Sequence, residues 1–142
     1  MKAIKSFFFG GAGGGDRIAD IGLLVMRLIM GLSLCLSHGL GKVQHPENVV
    51  NMLQHAHVPY PHIMVWPAAL TEFIGGLLIA IGLFTRPTAV AVIILMCVAF
   101  FHMHAGMPYG KRELAAVYFA MAALLLLAGG GRFSVDRLIH KK

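Results

Sequence analysis

Charge is what this chain has least of. Of its 142 residues, 12 are Lys or Arg and 6 are Asp or Glu, 13% in all, where a soluble domain carries about a quarter. With 58% apolar residues and a mean hydropathy of +0.76, that scarcity excludes a disordered chain and argues against a water-soluble domain. Cysteine is nearly absent too. Cys35 and Cys97 stand alone, without a Cys-x-x-Cys, which leaves no disulfide framework and no catalytic dithiol. No internal repeat is present, which disfavours an alternating-access transporter. The chain also lacks basic residues interleaved with aromatics on one polar face, so a net charge of +6 implies no nucleic-acid partner.

What remains is apolar sequence in four blocks. Segments at about 21–38, 63–83, 88–104 and 113–129 enclose only Arg27 and Glu72, with Glu113 opening the last. Each is near the ~17–25 residues that cross ~30 Å of hydrocarbon as a helix. The expected fold is an all-α membrane protein, an up-down bundle of four transmembrane helices. Its domain organisation is a flexible Gly-rich lead-in at 1–19, the bundle at 20–130 and a short C-terminal helix at 131–142. Alternating the spans places Lys2, Lys5, Arg17, Arg86, Arg132, Arg137, Lys141 and Lys142 on one side, against Lys42, Lys111 and Arg112 on the other. The positive-inside rule makes both termini cytoplasmic and turns the 39–62 and 105–112 loops outward. This is the pattern of a multi-pass protein of a bacterial inner membrane. The apolar stretch around Phe7-Phe8-Phe9 is too short for a signal peptide.

Local signals refine the picture. Asp20 can cap the first span. Pro46, followed by Val49, Val50, Leu53 and Ala56 at helical spacing, predicts a short amphipathic helix in the first outer loop, lying at the interface. Pro59-Tyr60-Pro61 ends it, and Pro67 kinks or restarts the second span. Gly82 suits a C-cap and Pro87 a first helical position, making the second and third spans antiparallel neighbours. Ser134 can cap the final helix. Counting 1.5 Å per residue puts Cys35 and Cys97 roughly 9 Å apart in depth, beyond the ~7 Å a disulfide spans.

An ionisable side chain in hydrocarbon usually faces the bundle interior beside a partner. Arg27 and Glu72 fall within reach of each other, so a buried Arg27–Glu72 pair is the direct expectation, with a role in helix register as the bland one. Arg27, Gly31, Leu34 and His38 share a face. Ala68, Glu72, Gly76 and Ala80 repeat every four residues, and such small side chains let helices approach closely. His38, Lys42, His104 and Glu113 converge at the outer ends of their spans. Together with Arg27 and Glu72 they are the candidate ligand-binding or proton-relay residues, and no catalytic residue is assigned. Metal chemistry finds little support. His102 and His104 point about 200° apart in a helix, no complete ligand set is present for zinc, a His38–His104 haem clamp is disfavoured, and the nine methionines read as core filler. His45, His55, His57 and His62 read as a solvated loop.

From about Asp20 to Leu138 the chain resembles the DoxX family of small four-helix inner-membrane proteins. The resemblance is carried by an Arg-containing helix ending in His38-Gly39-Leu40-Gly41-Lys42, and by Glu72-Phe73-Ile74-Gly75-Gly76-Leu77-Leu78 followed by Gly82-Leu83-Phe84-Thr85-Arg86. Phe101-His102-Met103-His104 and Gly129-Gly130-Gly131-Arg132-Phe133-Ser134-Val135-Asp136 add to it. The Gly-rich extension before Asp16 departs from the family. The resemblance implies a link to redox metabolism, some relatives resembling quinone-reacting subunits of thiosulfate oxidation. The expected function is therefore a membrane subunit associated with redox metabolism, holding a quinone-like or other small ligand at an intramembrane polar site. Glu72 or a histidine would pass protons, and a soluble oxidoreductase or another membrane subunit would supply electrons. The alternatives are a non-catalytic scaffold docking soluble oxidoreductases and a small-anion transporter. A homo-oligomer fits any of these.

Overall fold

A computed structural model describes residues 17–140, and among them every regular element is a helix. We number these α1 (Arg17–Gln44), α2 (Pro46–His55), α3 (Pro61–Ile81), α4 (Thr85–Met103), α5 (Tyr109–Ala128) and α6 (Val135–His140). The Gly-rich run of the lead-in lies outside the described residues. Helices α1, α3 and α4 are long and apolar enough to cross a membrane, at 28, 21 and 19 residues. At 20 residues α5 matches them in length, but it opens on three consecutive charges, Lys111, Arg112 and Glu113. Large apolar side chains, among them Ile29, Ile94 and Leu127, point outward, the distribution of helices meant for lipid rather than water.

Packing runs from α1 to α3, from α3 to α4 and from α4 to α5, with a slighter contact closing α5 onto α1. The shared core gathers Met30 and Leu34, Ile79, Val92 and Met96, and Tyr118 and Leu125. The α1–α3 contact is a backbone-on-backbone one. A Cβ on Gly31 would overlap the Gly76 carbonyl, and one on Gly76 would press on Gly31 and Cys35. Cys35 is buried at this seam, Cys97 is half-buried on α4, and both thiols are free.

The first span is longer than 21–38, because α1 continues through Gly39 and Lys42 to Gln44 and absorbs the start of the expected 39–62 loop. Pro46 opens α2 as anticipated. Val49, Val50 and Leu53 of α2 pack on Val65 of α3, joined by Val58 and Met103, so α2 lies across one end of the molecule. Pro67 neither interrupts nor restarts α3, which runs through it and forgoes one helical hydrogen bond there. Gly82 ends α3 in the left-handed region at φ 72°. Its N–H meets the Ile79 carbonyl at 3.1 Å and that of Leu83 meets Leu78 at 2.9 Å, a Schellman-type stop.

The start of α4 is capped from a distance. Asp136 accepts the Phe84 N–H at 2.8 Å and the Thr85 N–H at 2.9 Å, and its own N–H returns to the Gly82 carbonyl at 2.9 Å. Two donors left over at a helix N-terminus thus meet a carboxylate. Asp20 is not the cap of α1. The helix begins three residues earlier, and Asp20 is buried, accepting the Arg132 N–H at 3.0 Å. Ser134 does cap α6, taking the Arg137 N–H at 3.3 Å. The segment 129–137 therefore ties together the neighbouring ends of α1, α3 and α4.

Candidate functional site

At the opposite end, two stretches of widened helix set the geometry. Between Ser33 and Gly39, α1 adopts the π form, the Leu40 N–H bonding to the Cys35 carbonyl. α4 does the same over Ala99–Met103, and the His104 N–H bonds to the Ala99 carbonyl at 3.0 Å. Such bulges are rare and collect at functional sites, because they re-aim side chains. His38 sits inside the first and His104 directly after the second. Gly39 makes the next step. A Cβ there would overlap the backbone of Phe73 and crowd that of Glu72, so only glycine lets α1 lie directly on α3 at this height. His38 and Lys42 are thereby brought over Glu72.

Glu72 is buried, 5% exposed. Lys42 Nζ donates to its Oε1 at 2.6 Å, a charge-assisted bond of the strong kind. The other oxygen, Oε2, is buried and meets no hydrogen-bond donor among the described residues. Glu72 also lines a cavity of about 220 Å³ whose other polar lining is His38, Lys42, His104, Lys111 and Tyr118, over an apolar floor that includes Leu34 and Met96. The His38 ring stands edge-on to Tyr118, centroids 5.8 Å apart. His104 Nδ1 lies 2.8 Å from the Ala99 carbonyl. A carbonyl only accepts, so Nδ1 carries the hydrogen and Nε2 of the neutral ring is an acceptor. Among the described residues no group of three His, Cys, Asp or Glu side chains is placed to hold a metal ion.

Of the six candidates read from the sequence, the structure brings together His38, Lys42, Glu72 and His104 around this cavity. Glu113 is exposed and outside its lining. Arg27 is elsewhere altogether, and the Arg27–Glu72 pair is not formed. The Arg27 guanidinium is fully buried and donates to the Phe133 carbonyl at 2.7 Å and to the Ile79 carbonyl at 3.5 Å, pressed against Gly82. The reason is directional. Side chains on a helix lean toward its N-terminus, which takes Arg27 to the α6 end of the molecule and takes Lys42 back along α1 onto Glu72. Ile79 is also in the last turn of α3, whose carbonyl end attracts a cation. His102, His45, His55, His57 and His62 are exposed, but His55 closes α2 and His62 lies in the first turn of α3, so they do not all belong to a loop.

Sequence reasoning missed Lys111 and Tyr118. The signal was available, since Lys111, Ala115, Tyr118, Ala122 and Leu125 fall on one face of α5 at helical spacing. That face turns out to carry the core.

The model described as DoxX matches residues 22–105. The chain is 30% identical over 130 residues to the inner membrane protein YqjF of Escherichia coli (strain K12), covering 89% of this chain and 98% of that one. It is 28% identical over 127 residues to a Bacillus subtilis (strain 168) protein named "Putative oxidoreductase CatD", covering 89% and 92%. No solved structure matches.

Proposed function

The chain belongs to the DoxX family of membrane proteins, and from that premise and the geometry of the cavity we propose that it is a redox-associated inner-membrane protein that binds a small, quinone-like ring compound beside Glu72. In this reading α5 is a fourth crossing, α2 lies at the outer interface, both termini are cytoplasmic and the cavity opens toward the outer leaflet. The observation that carries it is a buried carboxylate on the wall of a ring-sized cavity, one oxygen held by Lys42 and the other without a hydrogen-bond partner among the described residues. An unsatisfied buried acceptor costs about 1–3 kcal/mol, and such groups collect where a ligand completes them. An engineered cavity of about 150 Å³ holds benzene, so about 220 Å³ suits one substituted ring. The oxidoreductase in the name of the Bacillus relative fits such a ligand, with electrons exchanged through a partner protein and protons through Glu72 or His104.

A scaffold role is the second reading. It is favoured by the α6 end, where Arg132 and Phe133, and then Leu138, Ile139 and His140, are exposed. Organic extraction of protein purified in mild detergent separates the two. Native protein should yield a ring chromophore near one equivalent, and Glu72→Ala protein should yield little. A chromophore-free native protein that co-purifies with a soluble oxidoreductase would instead support the scaffold.

A further inference from the structure

We infer that the cavity takes an organic anion: a single ring carrying one carboxylate-type group, the charge held at the mouth by Lys111 and the ring inside. This rests on the reading of the cavity as a ring site and adds to it the charge of what enters. The lining holds two ammonium groups, Lys42 and Lys111, against one carboxylate, Glu72. Lys42 and Glu72 meet at 2.6 Å and cancel, so with His38 and His104 counted neutral the lining keeps one positive charge. That charge belongs to Lys111, which makes no ion pair among the described residues. Its own helix does not neutralise it. The first turn of α5 contains no acidic residue, Arg112 lies over the Phe100 ring at 4.8 Å, and Glu113 is outside the lining. Cations in the first turn of a helix add to the positive end of its dipole, and an anion is stabilised there.

Hydrogen-bonding capacity leans the same way. Of the three N–H groups of Lys42 one is on Glu72 Oε1, and Lys111 brings three more, so donors on the lining outnumber acceptors. The depth of the residues orders the ligand. Lys111 is exposed in the first turn of α5. Leu114, Ala115 and Tyr118 line the same cavity further along that helix, Tyr118 being seven residues or about 10 Å below Lys111. Leu34 and Met96 add to the apolar part. Charge at the rim over an apolar interior suits a ligand with an ionised head and a ring for a body. A small inorganic ion would satisfy the rim alone and leave the interior unfilled.

The test is equilibrium dialysis of the full-length protein in a non-ionic detergent with three probes: benzoate, its uncharged isostere benzamide, and acetate, which keeps the charge and drops the ring. Native protein should bind benzoate about tenfold more tightly than benzamide, the worth of one hydrogen bond to a charged group, and more tightly than acetate. The advantage over benzamide should shrink as salt is raised. Lys111→Gln, a change at an exposed position, should bring the ratio of benzoate to benzamide affinity close to one, and Lys111→Arg should preserve it. Benzamide binding as tightly as benzoate, or a ratio untouched by Lys111→Gln, would overturn the inference while leaving a ring site in place. Acetate matching benzoate would reduce the cavity to a surface anion contact and overturn it as well. Binding of none of the three would overturn both the inference and the ring site.

Discussion

Arg27 and Lys42 leave the same helix in the same direction, toward its N-terminal end, and arrive at unrelated partners. Arg27 reaches the Phe133 and Ile79 carbonyls, while Lys42 reaches Glu72. Residues without shared partners should add, and residues in contact should not. In denaturant unfolding of detergent-purified protein, Arg27→Met should lose about 1–3 kcal/mol, because the Phe133 carbonyl loses its donor. Combined with Glu72→Met, it should give the sum of the single losses to within about 0.5 kcal/mol. The Lys42→Met, Glu72→Met pair should instead show a coupling of about 0.5–3 kcal/mol. A coupled Arg27–Glu72 cycle would contradict the partners assigned here. Gly82 tests the same corner, because a side chain there would strike the Arg27 guanidinium and would have to tolerate a φ of 72°. Gly82→Ala should therefore destabilise well beyond the ~1 kcal/mol expected of an ordinary cap.

Among the elements, α1 and α3 meet through glycine, and two glycines two residues apart make a controlled comparison. Gly39→Ala would force the helices apart at Glu72, whereas a Cβ on Gly41 meets nothing within 4 Å. Gly41→Ala should be neutral or stabilising by up to about 1 kcal/mol, the helical advantage of alanine. Gly39→Ala should lower the unfolding midpoint and abolish the Lys42–Glu72 coupling. The remote cap of α4 gives a further expectation. Asp136→Ala strips two N–H groups of their acceptor and should cost about 1–2 kcal/mol, as loss of a strong N-cap does. Limited proteolysis near α6 should then accelerate. These elements also mark how far the sequence could be read. The three apolar helices, Pro46 opening α2, the Gly82 stop and the Ser134 cap follow from local rules of hydropathy and backbone geometry, and were legible. The extension of α1 to Gln44, the π stretches under His38 and His104 and the Asp136 cap depend on contacts between segments distant in sequence. No single-residue propensity announces those. The partner of Glu72 lay between, since Arg27 and Lys42 were both visible and only the lean of helical side chains chose between them.

For the molecule as a whole, the polar features separate to two ends. The Arg27, Asp136 and Asp20 contacts lock one end, and the Lys42–Glu72 cavity occupies the other. If α5 is the fourth crossing, single cysteines at Asn51 and at His140, in a background of Cys35→Ser and Cys97→Ala, should label from opposite sides of intact cells. Labelling of both from the same side would contradict a four-span path and displace the cavity from the outer leaflet. The claim on which the rest depends is that the unpartnered oxygen of Glu72 is completed by a ligand. An experimental density map of protein purified in mild detergent, resolved well enough to show side chains, tests it most directly. The account predicts ring-shaped non-protein density in the cavity, one atom within about 3 Å of Glu72 Oε2 and the ring between His38 and His104. A cavity filled by protein side chains, with Glu72 Oε2 bonded to one of them, would contradict it.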